Sequence, residues 1–499
     1  MYCKTEIDIG ECMVKYLLAC LGIVIGVCSF AQVNMGDNSF GNADNNVLYS
    51  TNGVITESDT SRLFIIRDIN ISGNEKTKPA IILRELPFQL DETYPLGTIV
   101  EKFKKARRQL MNTGLFRNII VSLENLDDHD VYINVKVEEK WYVWPMAFFK
   151  PVDKSFGEWW KEKDRNMDRI NYGMRLSHNN ITGRNDKLRL SVMNGYTRQV
   201  SIQYYGLWLD EALKWSTSAG INYGQNREVN YMTLWNKQVP VKGENDFLRS
   251  YVGGFLQFNY RPAIKTTHTF GVGYTYESIA DTVYKLNPSF STGAKFISYP
   301  EMYYRLNYFD VDYIPYPTRG FFGELSLKRK GLGIRSPVNL WELSAKASQT
   351  WLVSRNLFFN LKGFGMVKLP FSQPYIGRQF IGYDGRYLQG YEYYVIDGVA
   401  GGYAKATLSR PILSTHISIP SQRFKSLSRI PIKVYAKTFV NSGYIYNTST
   451  GKNNLTNSFI YSGGVGLDIV TYNDFVIKIE WSINRLGENG LYLHQRNDF

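Results

Sequence analysis

Cysteine is confined to the start of the chain: Cys3, Cys12, Cys20 and Cys28 are the only four. All lie in a segment that reads as a removable leader, so an exported protein carries no thiol. That excludes a disulfide scaffold, a thiolate metal site and a cysteine nucleophile together. Histidine is almost as scarce. The five, His129, His178, His268, His416 and His494, are scattered without the spacing of a zinc motif. Beyond the leader there is no run of 18 or more apolar residues; a helical span is ruled out, and a membrane protein with this sequence can only be a barrel. No nucleophile elbow or serine-histidine-acid order is present. Gly463, Gly464 and Gly466 sit in an alternating stretch with no helix after them, so a phosphate loop fails. Asp310 and Asp312 are spaced like a metal or acid pair, but a lumenal or turn position explains them without catalysis. We read the chain as no enzyme, with no cofactor and no metal.

Aromatic residues are abundant instead: 15% of 499 residues, with 36 Tyr, at a mean hydropathy of -0.28. So many amphipathic rings need a core or a membrane interface. Residues 14 to 31 give a basic start, an apolar run and a Ser29-Phe30-Ala31 ending, the pattern of a secretory signal cut before Gln32. Met13 is a candidate start, because Glu6, Asp8 and Glu11 ahead of it suit an n-region poorly. The alternative, a lipoprotein signal ending Leu17-Leu18-Ala19-Cys20, has too short an apolar run. Removing residues 1–31 leaves 56 bases against 42 acids. In an exported chain this points to anionic lipid head groups or a basic lumen, and not to nucleic acid.

Residues 32–61, rich in Asn, Gly, Ser and Asp, form a flexible leader without periodicity. A small α+β domain follows over 62–140. Ile65, Ile69 and Ile71 mark a strand that ends at Ser72-Gly73-Asn74, and Thr77-Lys78-Pro79 opens a helix through Leu86. Thr98 and Glu101 read as a capping box for a second helix, with Phe103, Ala106 and Leu110 on one face and Gly114 as its stop. Ile119, Val121 and Leu123, then Val131, Ile133, Val135 and Val137, alternate as two strands. The order is β-α-α-β-β.

From Trp141 to Phe499 the helical period disappears. Leu343, Ala345 and Ala347 alternate with Ser344, Lys346 and Ser348. Leu188, Leu190 and Val192 alternate with Lys187, Arg189 and Ser191. Ile432, Val434 and Ala436 alternate with Lys433, Tyr435 and Lys437, and Phe475, Ile477, Ile479 and Trp481 with Val476, Lys478, Glu480 and Ser482. One apolar and one charged face, sustained over a whole domain, fit lipid outside and water inside. About 16 such runs fit this length at about 9 to 11 residues per strand. An even count puts both barrel ends on one side. The expected fold is therefore a membrane all-β antiparallel barrel over 141–499, preceded by one small α+β domain.

The small domain, Leu63 to Glu139, resembles a POTRA domain, and the barrel resembles the bacterial surface antigen barrel of the BamA/TamA outer-membrane superfamily. The resemblance is most specific from about Ser372 to Gly401, through Gln373-Pro374-Tyr375-Ile376-Gly377, Leu388-Gln389-Gly390-Tyr391-Glu392 and Ile396-Asp397-Gly398. It implies a loop folded into the lumen, with a Val-Arg-Gly-Tyr/Phe motif against the inner wall. Tyr308-Phe309-Asp310 through Pro317-Thr318-Arg319-Gly320 also fits the family pattern. Gln389 stands where that motif has arginine. The strand that offers it an aspartate, Phe-x-Asp-x-Gly, reads Phe439-Val440-Asn441-Ser442-Gly443. Losing one charge alone would strand its buried partner, at about 3 to 5 kcal/mol. Replacing both leaves two neutral amides that can still pair. The expectation is that Gln389 touches Asn441, beside Gly443; the alternative is a loose loop and two unrelated changes.

The resemblance implies outer-membrane localisation with the small domain in the periplasm, and a role in inserting, assembling or translocating other proteins. Its partners would be outer-membrane lipids, unfolded client proteins and accessory lipoproteins. Lys104, Lys105, Arg107 and Arg108 offer either a docking face or a solvated one. Leu491, Leu493 and Phe499 share one parity, the lipid-facing C-terminal strand signal that the barrel-insertion machinery reads in such proteins. The rival functions are a single-client two-partner-type transporter, which usually carries two POTRA domains, and a porin-like solute channel.

Overall fold

A strand of alternating apolar residues, β1 (Leu63–Ser72), starts the described part of the computed structural model. That part covers residues 62–495 except 128, 152–166, 244–245, 292, 333–336, 419–428 and 472–474; the signal peptide, the leader and Phe499 lie outside it. After β1 come α1 (Pro79–Leu83), β2 (Thr93–Pro95), α2 (Leu96–Asn112), β3 (Phe116–Asp127) and β4 (Asp130–Glu139). The sheet order is β2-β1-β4-β3, with β1 and β4 parallel and the other pairs antiparallel. Leu96, Ile99, Phe103, Ala106 and Leu110, at helical spacing, bury one face of α2 against Ile119, Val121, Ile133 and Val135.

One expectation fails here for a local reason. Thr98 caps nothing: α2 already begins at Leu96, with Pro95 in extended conformation as its N-cap and no side-chain cap bond. The chain enters the helix directly from β2, a strand too short to show a period of two. Gly114, at φ +74, ends the helix as anticipated.

The barrel strands are β5 (Val143–Pro151), β6 (Ile170–Asn179), β7 (Lys187–Gly195), β8 (Thr197–Trp208) and β9 (Trp215–Asn226). A hairpin follows, β10 (Glu228–Leu234) and β11 (Lys237–Lys242), turning on Trp235 and Asn236, both at positive φ as a type I′ turn requires. Then come β12 (Arg249–Ala263), β13 (Thr266–Ile279), the short helix α3 (Asp281–Leu286), β14 (Phe296–Val311), β15 (Gly320–Lys330), β16 (Leu340–Ser354) and β17 (Leu357–Leu369). A long loop containing the minimal pair β18 (Gln379–Ile381) and β19 (Ile396–Asp397) leads to β20 (Ala400–Ser418). The wall finishes with β21 (Arg429–Tyr446), β22 (Phe459–Thr471), β23 (Phe475–Asn484) and β24 (Asn489–His494). Leaving out β10, β11, β18 and β19, these make one 16-stranded antiparallel sheet that runs from β5 to β24.

The two faces differ as the alternation requires. Leu343, Val440, Val465, Trp481, Leu491 and Leu493 are exposed on the outside, where lipid replaces water, while Ser348, Lys437, Ser462, Glu480 and Ser482 are buried within. No helix among the described residues is long and apolar enough to cross a membrane. The last ladder is short, from Ile483↔Asn489 to Lys478↔His494, and among the described residues no pairing joins β24 to β5.

Candidate functional site: a loop seated on the inner wall

The segment 370–399 leaves β17, turns inward and returns to β20. Its apolar residues Phe380, Ile381, Leu388, Tyr391 and Ile396 are fully buried with Met366, Ile445, Leu455 and Ile460 from the wall and a neighbouring loop. The β10–β11 hairpin holds it from the side, where the Val395 amide donates to the Asn236 carbonyl at 2.9 Å. Burying this many apolar groups inside a polar lumen makes the loop a plug with its own core. It is not a strap lying in water.

At the tip of the loop Gly390 has φ +87, and a Cβ there would stand 3.0 Å from Ser462 Cβ, so both the backbone and the space call for glycine. Close approach lets the wall bind the tip through backbone groups. Asn484 Nδ2 donates to the Gly390 carbonyl at 2.7 Å, Tyr391 OH donates to the Tyr461 carbonyl at 2.9 Å, and Ser462 Oγ donates to the Gln389 carbonyl. Leu388 packs in the apolar cluster beside these bonds.

Gln389 and Asn441 make their side-chain hydrogen bonds to other residues. Gln389 Nε2 donates to Glu480 Oε1 on β23 at 2.9 Å, whereas Asn441 Nδ2 donates to Ser462 Oγ at 3.0 Å. Ser462, on β22 between the two, links the Asn441 side chain to the Gln389 backbone, so the expected direct contact is replaced by a relay. Gly443 serves the wall and not the loop: a Cβ there would come within 3.1 Å of both the Gly402 carbonyl oxygen and Tyr403 Cβ on β20. The loose-loop alternative fails as well, since Gln389 is 7% exposed and Tyr391 1%.

The charge that Gln389 lacks is supplied by the wall itself. Lys437 on β21 places Nζ 2.5 Å from both Glu480 Oε1 and Asp468 Oδ1, and all three side chains are buried. Tyr316 OH donates to the other Asp468 oxygen at 3.1 Å. A loop residue facing a carboxylate already paired with lysine needs to bring only a neutral donor, which glutamine provides. Lys437 and Glu480 appear in the sequence only as inward members of alternating strands; nothing local marks them as partners.

The wall is gripped a second time from below. Glu85, after α1, forms a two-pronged ion pair with Arg261 at the end of β12, with one N–O distance of 2.9 Å. Asn112, the last residue of α2, donates to the Val311 carbonyl at 2.9 Å and accepts from the Ile314 amide at 3.0 Å, clamping the turn between β14 and β15. Asp312 organises that same turn by accepting from the Thr318 and Arg319 amides, and Asp310 pairs with Lys265. The pair is therefore a turn device. Of the basic face, Arg107 is half-buried and donates to the Ile119 carbonyl, and Lys104 pairs with Glu101. Lys105 and Arg108 line a cleft of about 620 Å³ against the barrel turns. Burial, with Lys265 and Lys102 close by, holds the Lys105 ammonium below its ordinary value. Leu491 and Leu493 face outward at 51% and 71% exposure.

A family model described as POTRA, surface antigen variable number repeat, matches residues 64–140. Among curated proteins, the outer membrane protein assembly factor BamA of Neorickettsia risticii (strain Illinois) is 28% identical over 81 residues, which are 16% of this chain and 10% of that protein. Among solved structures, BamA from Haemophilus ducreyi lacking POTRA domains 1–3 aligns at 15% identity, covering 87% of this chain and 83% of that one, with a TM-score of 0.49. CdiB from Escherichia coli aligns at 11% identity, covering 88% and 75%, with a TM-score of 0.47. The family match falls on the small domain, and that domain sits beneath a 16-stranded barrel with a loop folded into its lumen. The small domain is thus a POTRA domain, and the matched BamA shares with this chain a stretch of only a tenth of its own length.

Proposed function

We propose that this protein helps other polypeptides insert into or cross the outer membrane, and that it does so by templating and not by covalent chemistry. The observation that carries the reading is the unjoined sheet edge: among the described residues, β24 pairs only with β23 and β5 only with β6. The β5 edge also contains Pro145 and Pro151, which lack an amide donor and weaken strand pairing. A free edge bounded by lipid can accept a client strand, and the outer edge of the POTRA sheet, β3, offers a second acceptor by β-augmentation. "Assembly factor", in the name of the matched BamA, fits this arrangement. The partners in this scheme are outer-membrane lipids against the apolar belt, unfolded clients at the two edges, and an accessory lipoprotein at Lys105 and Arg108.

Cysteine pairs scanned across 143–149 and 491–494 test the reading, since all four native cysteines lie within residues 1–31. A disulfide that locks the seam should abolish client assembly, and reduction should restore it. Full activity in the locked state sinks the templating mechanism. Depletion in the native cell followed by mass spectrometry of surface proteins separates the roles. A broad fall in barrel proteins indicates general assembly, and loss of one exported client a dedicated translocator. A change confined to solute uptake would favour a pore, a reading that the buried loop in the lumen already disfavours.

A further inference from the structure

Three side chains far apart in sequence converge where the loop meets the last two strands. His494 Nε2 on β24 lies 3.3 Å from Glu392 Oε1 on the loop and 3.4 Å from Glu480 Oε2 on β23, and the three atoms all lie within 4.8 Å of one another. We propose that Glu392, Glu480 and His494 bind one divalent transition-metal ion of the zinc class, tying the lumenal loop to the closing strands of the barrel.

The distances carry the argument first. Zinc holds nitrogen and carboxylate oxygen at about 2.0–2.2 Å in tetrahedral geometry, which sets neighbouring ligand atoms roughly 3.3–3.6 Å apart. Both measured separations fall in or at the edge of that range. The second observation is an orphaned atom. Glu480 is fully buried; its Oε1 accepts from Lys437 and Gln389, but its Oε2, which points at the cluster, has no hydrogen bond. A buried carboxylate oxygen left in this state is costly unless something positive meets it.

The ligands are also held in place by their surroundings. Glu392 Oε2 accepts from the Gly390 amide at 2.8 Å, which leaves Oε1 for the cluster. The His494 ring stacks on Tyr387 with centroids 4.5 Å apart. Such outer contacts fix the orientation of metal ligands. One imidazole and two carboxylates, few in number and mostly buried, suit zinc; calcium takes six to eight oxygens and magnesium keeps its waters. The site is independent of the assembly reading.

The test uses the full chain in detergent micelles, stripped with chelator and titrated with Zn²⁺ by calorimetry, with Co²⁺ absorption reporting geometry. The expected result is one equivalent of Zn²⁺ and a tetrahedral Co²⁺ band. Glu392→Gln, which keeps an acceptor for Gly390, and His494→Phe, which keeps a ring on Tyr387, should each weaken binding at least tenfold while the barrel keeps its heat-modifiable gel migration. Should His494→Phe fail to fold, Glu392→Gln decides alone. No stoichiometric uptake by the wild type overturns the proposal. Uptake that is unchanged in the variants overturns it too, because the ion would then sit elsewhere.

Discussion

Beneath the barrel, the POTRA domain meets the wall through polar ties around an open cleft, Glu85 with Arg261, Asn112 with the turn after β14, and Lys105 and Arg108 facing the barrel turns, and through a small apolar contact where Leu213 and Trp208 join its core. Inside the barrel, the loop over 370–399 meets the same wall through an apolar cluster flanked by specific hydrogen bonds, with Gln389 Oε1 and Glu480 Oε2 buried without one. The first kind of contact can open at the cost of little apolar surface beyond Leu213 and Trp208, because water takes over its hydrogen bonds. The second cannot, since undocking would strip Phe380, Leu388 and Tyr391 of their packing. The difference teaches which contact costs less to open: the junction below is mostly polar, and the loop seat is mostly apolar.

The largest effect is expected at the base of the loop seat. Lys437→Met leaves Glu480 and Asp468 buried without their shared cation, and breaking a buried ion pair from one side costs about 3 to 5 kcal/mol. Urea unfolding in lipid vesicles should show a loss of that size. A loss under about 1 kcal/mol would mean that the carboxylates are solvated, and the loop seat no drier than the junction below.

At the junction a smaller and more local loss is expected. Glu85→Gln leaves the Arg261 guanidinium facing Arg84, which burial and Arg261 already depress to about 10. Arg261 is partly exposed and keeps a bond to the Ile264 carbonyl, so the estimate is about 1.5–3 kcal/mol. The loss should appear as faster hydrogen exchange where the POTRA domain meets the barrel turns, with the loop's protection unchanged. Deprotection of the loop in the same variant would show that the two grips are coupled and break the comparison.

Much of this architecture is legible in the sequence, because lipid outside and water inside impose a period of two that survives in many barrel strands. Leu343 to Ser348 and Phe475 to Ser482 show it plainly, and the count of 16 strands follows. The same alternation placed Leu491 and Leu493 on the outer face. What fails is pairing at a distance. β2 is three residues long and has no period to read; Thr98 looked like a cap only because β2 was unseen. Gln389 and Asn441 were paired because each departs from the same motif, yet Ser462 stands between them. Histidine was set aside for lack of ligand spacing, and that test is blind to Glu392 and His494, which meet across 102 positions. Alternation reveals which face a residue takes; only the assembled sheet reveals what it faces.

The smallest expected effect tests that relay directly. Gln389→Ala removes one bond to a carboxylate that Lys437 still neutralises, and Asn441→Ala removes one bond to Ser462, so each should cost about 1 kcal/mol. Because the two side chains hydrogen-bond to different partners, the double variant should be additive within about 0.5 kcal/mol. Ser462→Ala behaves differently. It unties the Gln389 carbonyl and the Asn441 amide at once, so adding Asn441→Ala to it should cost little more, a coupling of at least about 0.5 kcal/mol. Urea unfolding in vesicles measures all of these on one scale. Coupling above about 1 kcal/mol between Gln389 and Asn441 would restore the direct contact and remove Ser462 from the seat. Additivity there, together with coupling through Ser462, would locate the loop's hold on β22 and β23, next to the strand that ends the barrel.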